Sequence, residues 1–596
     1  NNTALGTGSV AMATGTTLQA ASSVALANAV SVAGTATVDT NANNLGLSGV
    51  ISGAGSVNKT GIGTLTLSGN NVYTGGTTVS AGVVQLSGSG KLPDNGAVTI
   101  SGGTLNIGAT NLSVSNLTIS SGALNSTTGY VTGSAFVINN NEANPITIGA
   151  ILQGTGATLT KTGLGTLTLT NVNTYTGATT ISGGTLVLSG SRYNYDTGML
   201  EGGSIANSSG VINNANFDVS ANTGGTSVIS LSGTGTTVLG STTLIITNAT
   251  GSLSGIVSGN GGAITISAGS QTLAANNTYT GGTRVNGGTL KAGVSSVLSG
   301  STITTSAFGT GAVTIASGAV IDLAGFTVAN NLSLIGTGNS ATVGALTSTS
   351  GTTGIASGTI TLTGNTALGG TNDFTISGAI GAGGNTYTLD KVGANAVTLT
   401  NTNTYTGTTT ITAGSLILSG SGTITGSSLT NNATFDISGI TGSSVSIVSL
   451  AGNSTGTITL GSKTLTITTA AATFAGAING TNGNVVISGG TQLLTGTNGY
   501  TGTTTINSGA TLQIGNSSTT GTLGSGAVSN NGTLIFNRSN AMTVANDISG
   551  SGSLTQAGTN TVTLTGSNSY VATTINTGAT LQIGNATTTG TLGSGA

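Results

Sequence analysis

The sequence predicts an all-β chain wound as a parallel β-helix, or β-solenoid, and three observations carry that prediction. Apolar pairs recur at a fixed step: Leu65 and Leu67 return as Val84 and Leu86, Leu167 and Leu169 as Leu186 and Leu188, each 19 residues on. The step repeats from Val397 and Leu399 to Leu416 and Leu418, and from Val562 and Leu564 to Leu581 and Ile583. Apolar and hydroxyl residues alternate within the segments, and glycine, 104 of 596 residues, punctuates them. Fixed-period strand sequence is the signature of a solenoid, whose turns bury their apolar faces only by stacking on one another.

Each element follows from local chemistry. In Thr64-Leu65-Thr66-Leu67 a period of two puts both leucines on one face and both threonines on the other, and Thr, Val and Ile suit a pleated surface. Glycine recurs too often, and no apolar 3.6-residue period lasts long enough, for helix. Gly and Asn between strands tolerate the left-handed backbone of tight corners. At about 19 residues per coil and ~4.8 Å between strands, the chain predicts about 31 coils and one elongated rod of roughly 150 Å. Residues 1–596 read as one continuous solenoid with strand-repeat blocks near 58–88, 160–190, 264–293, 390–420, 485–516 and 555–585. One copy is a residue longer, since Leu494 answers to Ile514 across 20 residues, and Ser191 to Ser204 is expected to loop out. The closing TLQIGNATTTGTLGSGA copies the stretch from Thr511, which predicts a segment of a longer repetitive protein.

Composition narrows function. Charged residues are 3% of the chain and the net charge is −2, so a phosphate-binding surface and a nucleic-acid partner are not expected. With no Cys and no His, disulfides, imidazole catalysis and zinc chemistry are excluded. Every apolar run is broken by Thr, Ser, Asn or Gly well short of the ~20 residues of a membrane helix, so this segment is not expected to span a membrane.

Six tyrosines, Tyr73, Tyr175, Tyr279, Tyr405, Tyr500 and Tyr570, mark the repeat. They are expected to anchor the packing at one corner with their hydroxyls at the surface. Around them a KTGxGTLTL strand, then NTYTG, then TTIxxGTLxL, clearest in Lys161-Thr162-Gly163, Thr174-Tyr175-Thr176-Gly177 and Gly184-Thr185-Leu186, resembles the passenger-associated strand repeat of bacterial autotransporters, the type V secretion family. The resemblance implies a right-handed β-helix exported through an outer-membrane barrel. Tyr570-Val571-Ala572 departs from the pattern by lacking Thr-Gly, and Gln271 and Gln492 replace a strand apolar residue.

No residue is assigned to catalysis, to a cofactor or to a metal. The chain has 11 acidic residues, and Phe217-Asp218 recurs as Phe435-Asp436, so these aspartates travel with their strand rather than marking a unique site. Lys59, Lys161 and Lys391 precede the glycine of their repeats and are read as solvated turn residues. Asp39, Asp94, Asp322 and Asp547 are isolated, too few for the oxygen shell of calcium. The densest chemical cluster is Arg192, Tyr193, Tyr195 and Asp196 with Glu201 behind it, a candidate glycan-contact loop because aromatic faces stack on sugar rings. Thr-x-Thr strands such as Thr64 to Thr66 and Thr166 to Thr168 raise the idea of an ice-matching ladder, but the motif returns once per repeat unit rather than on every coil, which favours plain β-propensity.

The expected function is a non-enzymatic extracellular structural and adhesive rod at a bacterial surface. Its partners would be cell surfaces, glycans or like molecules held by weak repeated contacts, with homotypic fibre or cable assembly. The alternatives are a stalk carrying a remote effector domain and a carbohydrate-active β-helix.

Overall fold

The computed structural model describes residues 5–190, 192–194, 199–222 and 225–594, with the backbone alone for 192–194 and 199–201. Among these residues every regular element is a strand. Among the described residues no helix is long and apolar enough to cross a membrane.

Successive coils lie side by side in parallel register, forming a β-solenoid of about 28 turns with roughly 20 residues in each. Strand Thr64–Leu67 pairs with Val83–Leu86 so that Leu65 meets Val84 and Leu67 meets Leu86. Leu167 meets Leu186, Val397 meets Leu416, and Val562 meets Leu581 in the same manner. The four apolar steps read from the sequence are therefore four strand pairings. Leu494 pairs with Ile514, so the longer copy is absorbed without loss of register.

Alternation decides what faces in. In Thr64–Leu67 and Thr166–Leu169 the leucines are buried and the threonines half-buried. Each inward Leu, Val or Ile rests on its counterpart in the next coil, and complete burial of such a side chain contributes about 1.5–3 kcal/mol. Turns supply the corners. Gly184, at φ 63°, closes the turn before Thr185–Leu188, and a Cβ there would lie 2.2 Å from the carbonyl oxygen of Gly165 in the preceding coil.

The chain divides into two compact units, Asn1–Arg284 with Thr304–Gly311, and Val285–Ile303 with Ala312–Ala596. In the first, a sheet of 23 strands runs from coil to coil. Thr179 there pairs with Val211, a step of 32 residues that accommodates the excursion expected from Ser191 to Ser204. Within it Arg192–Asn194 and Met199–Glu201 form an antiparallel hairpin. In the second, a nine-stranded sheet and two six-stranded sheets continue the same parallel stacking.

Candidate functional site in the repeated turns

An asparagine stands two residues before each landmark tyrosine, and its amide ties three coils together. The Asn173 Oδ1 accepts from the Leu152 N–H at 2.9 Å, one coil back, while Nδ2 donates to the Ser204 carbonyl at 3.1 Å, one coil on. Asn71 bridges Ile51 N–H and the Lys91 carbonyl, and Asn403 bridges Ile380 N–H and the Thr423 carbonyl. Asn277, Asn498 and Asn568 repeat the bridge. A neutral amide has the donor and the acceptor this requires. The Asn-x-Tyr spacing was visible in all six copies, and this bridging role was missed.

The tyrosines are packing anchors, as expected, but their hydroxyls are not at the surface. All six side chains are fully buried. Tyr73, Tyr175, Tyr279, Tyr405 and Tyr500 each share a hydrogen bond of 2.6–2.8 Å with the threonine hydroxyl four residues on. Burial raises the phenol pKa of these five, since the charged form loses its water, and the threonine bond only partly opposes this. Tyr570, where the motif departs, pairs instead with Thr573, three residues on, at 3.2 Å.

Lys59, Lys161 and Lys391 overturn the solvated-turn reading. Each is at most 2% exposed. The Lys161 Nζ donates to the carbonyls of Thr162, Gly163 and Gly183 at 2.6, 2.8 and 3.1 Å, and Lys59 and Lys391 make the same three bonds. The turn folds its carbonyls inward, and the ammonium satisfies them. Gln556 occupies the corresponding place in the last copy and donates to Gly558 and Asn560. In the third and fifth copies the donors come from Gln271 and Gln492, whose Nε2 reaches three carbonyls each. Lysine or glutamine thus holds the turn in four copies, whereas Gln271 and Gln492 lie within strands and bridge to carbonyls of the two preceding coils. The three glutamines are used for their N–H groups alone, for Oε1 of each is buried without a hydrogen bond.

A family model described as passenger-associated-transport-repeat matches residues 57–86, 159–188, 266–292, 389–418, 487–514 and 554–583. Six segments of the chain are similar to this repeat. No curated protein and no solved structure gives a significant match. The matched repeats fall on the blocks expected from the sequence, and with the β-solenoid they are consistent with an autotransporter passenger domain. The repeat family implies a secreted or surface-exposed location.

Charged and polar groups of the matched segments and of the loops beside them are bound into the packing. Burial lowers the lysine pKa values to about 8, opposed at Lys59 by Asp39 and at Lys391 by Asp373. Phe217 and Phe435 are buried, and the neighbouring Asp218 and Asp436 each accept a backbone N–H two residues on, from Ser220 and Ser438, at 2.8 Å. The same aspartate cap used twice is a turn device. Asp322 is buried beside Lys291, at 3.6 Å, and accepts from the Ala324 and Thr349 N–H groups and the Thr349 hydroxyl. Its lone pairs are spent holding that loop. Of the candidate glycan loop, Arg192 and Glu201 are paired across the hairpin backbone, as are Tyr193 and Leu200. Tyr195 and Asp196, and the side chains of Arg192, Tyr193 and Glu201, lie outside the described residues.

Proposed function

We propose that the chain is a non-enzymatic structural and adhesive scaffold of a bacterial surface, exposed outside the cell and holding other surfaces, glycans or like molecules by many weak contacts. One observation carries the reading. The buried polar groups of the repeats, Asn, Tyr, Lys and Gln, are committed to hydrogen bonds within and between coils, while the outward strand positions carry neutral Thr, Ser and Asn. Such a surface gives modest contacts that sum through repetition. Exposed Ile62 and Leu164, at equivalent turn tips, add small apolar contact points. The test is to coat beads with the purified chain and measure retention on cell surfaces and glycan arrays, with polysaccharide turnover followed in parallel. Retention that grows steeply with bead valency is expected. Catalytic turnover, or no retention at any valency, defeats the proposal.

A further inference from the structure

One turn device recurs in four coils and is left open in one of them. Asn213, Asn431 and Asn530 are fully buried. Each donates through Nδ2 to a carbonyl of the next coil at 2.8–2.9 Å, while its Oδ1 accepts the backbone N–H two residues on at 3.2–3.3 Å. The next strand then begins three residues after the asparagine, at Asn216, Thr434 and Thr533. Asn140 makes the same bond to the next coil, to the Thr166 carbonyl at 2.9 Å, and is 1% exposed, but its Oδ1 has no hydrogen-bond partner among the described residues. Here the next strand begins only at Ile146, six residues on, because three extra residues stand in the turn. The longer turn, exposed from Asn141 to Pro145, borders a pocket of about 430 Å³ whose wall includes Asn140 itself.

We propose that this pocket seats one ring of a neutral saccharide; the proposal rests on the adhesive reading, whose glycan contact it locates. Asn139, Asn141 and Asn144 bring further amides to the wall, and an amide offers both a donor and an acceptor, as a sugar hydroxyl does. Asn144 Nδ2 donates to Asn141 Oδ1 at 2.8 Å, which braces the turn. The side chain of Asn139, exposed at the rim, makes no hydrogen bond with any described residue and is open to a ligand. A hydroxyl donating to Asn140 Oδ1 would do there what the Ala215 N–H does for Asn213. That acceptor is buried, so only a group seated in the pocket reaches it, and left empty it is costly. Leu164, 69% exposed on the turn of the next coil, gives the C–H face of the ring an apolar wall. Charged ligands fit less well, because none of the described lining residues carries a charge and Glu142, on the same turn, is not part of the lining. The pocket falls within the roughly 300–1,000 Å³ of small-molecule sites, and an insertion carried on a rigid scaffold is where binding residues concentrate.

The test is to titrate the purified chain with galactose, mannose, glucose and N-acetylglucosamine, with sodium phosphate and calcium chloride as charged probes, and to read binding by saturation-transfer NMR and calorimetry. At least one of the sugars should bind saturably, at one site per chain. Asn139→Ala and Leu164→Ala, both at exposed positions, should each weaken that binding at least tenfold with the circular dichroism unchanged. Deleting Glu142, Ala143 and Asn144 restores the spacing of the three closed turns and should abolish binding in a chain that still folds. Undiminished binding by either rim variant or by the folded, shortened chain overturns the proposal, and so does binding of phosphate or calcium with no sugar bound. Beads retained on glycan arrays while no free sugar binds sink the pocket and spare the adhesive reading. Beads retained nowhere, with no sugar bound, sink both.

Discussion

Replacing Lys161 by methionine tests whether the buried ammonium is the keystone of its turn. The change keeps the aliphatic stem and deletes three donors, leaving the carbonyls of Thr162, Gly163 and Gly183 without that partner. A hydrogen bond from a charged donor is worth about 1.5–3 kcal/mol, and an unsatisfied buried acceptor costs about 1–3 kcal/mol. Against this, methionine removes the desolvation that lowers the lysine pKa to about 8. The balance is a loss of about 2–4 kcal/mol, because three acceptors are orphaned and one charge is relieved. Long solenoids need not unfold in one step, so the measurement is native-state hydrogen exchange resolved to the turn rather than a single melting temperature. Amides around residues 162–165 and 182–184 should exchange roughly 30- to 1000-fold faster, at 1.36 kcal/mol per tenfold. Lys161→Gln, which copies the natural solution at Gln556, should cost only about 1 kcal/mol, since it keeps two donors. Unchanged exchange in Lys161→Met, or equal losses in the two variants, refutes the reasoning.

Further outcomes follow from the same contacts. Tyr175→Phe should cost about 1 kcal/mol, because the Thr179 hydroxyl keeps Ser208 as a partner, whereas Tyr175→Ala should cost about 3–5 kcal/mol through the cavity it leaves; urea unfolding of the two variants separates them. Gly184→Ala should destabilise its turn by more than 1 kcal/mol, read as local exchange, because φ is +63° and the new methyl would press on the Gly165 carbonyl. The lysines and tyrosines set opposite pH trends. Between pH 8 and about 10 the unfolded chain holds more lysine protons than the folded one, so these groups make stability rise with pH; above about 10 the buried phenols keep protons that the unfolded chain loses, and stability falls. Denaturant midpoints from pH 7 to 11 should pass through a maximum that is reduced on its rising side when all three lysines become glutamine.

The winding was legible because register in a solenoid is written as repetition. Leu65 and Val84, or Leu167 and Leu186, can be matched from the residues alone, for each must rest on the other. The lysines were misread although a signal was present: Val57 and Lys59, and Leu159 and Lys161, share strand parity and so point inward together. The rarity of buried cations outweighed it. The carbonyls that make the burial tolerable belong to a turn conformation that residue identities do not announce. Outward neighbours were hidden for another reason: Thr78, Thr99 and Thr118 lie side by side on successive coils, but their strands are as unlike as Thr77–Val79 and Gly96–Gly108, and only the pairing shows them to be neighbours.

The sequestered lysines carry a consequence for survival in harsh surroundings. A digestive enzyme that cleaves after basic residues meets only nine such positions along 596, and at three of them the side chain it must grip is locked among carbonyls inside the winding. Cleavage there requires the coil to open first, so the scarcity and concealment of charge together make the protein a poor meal for trypsin-like enzymes.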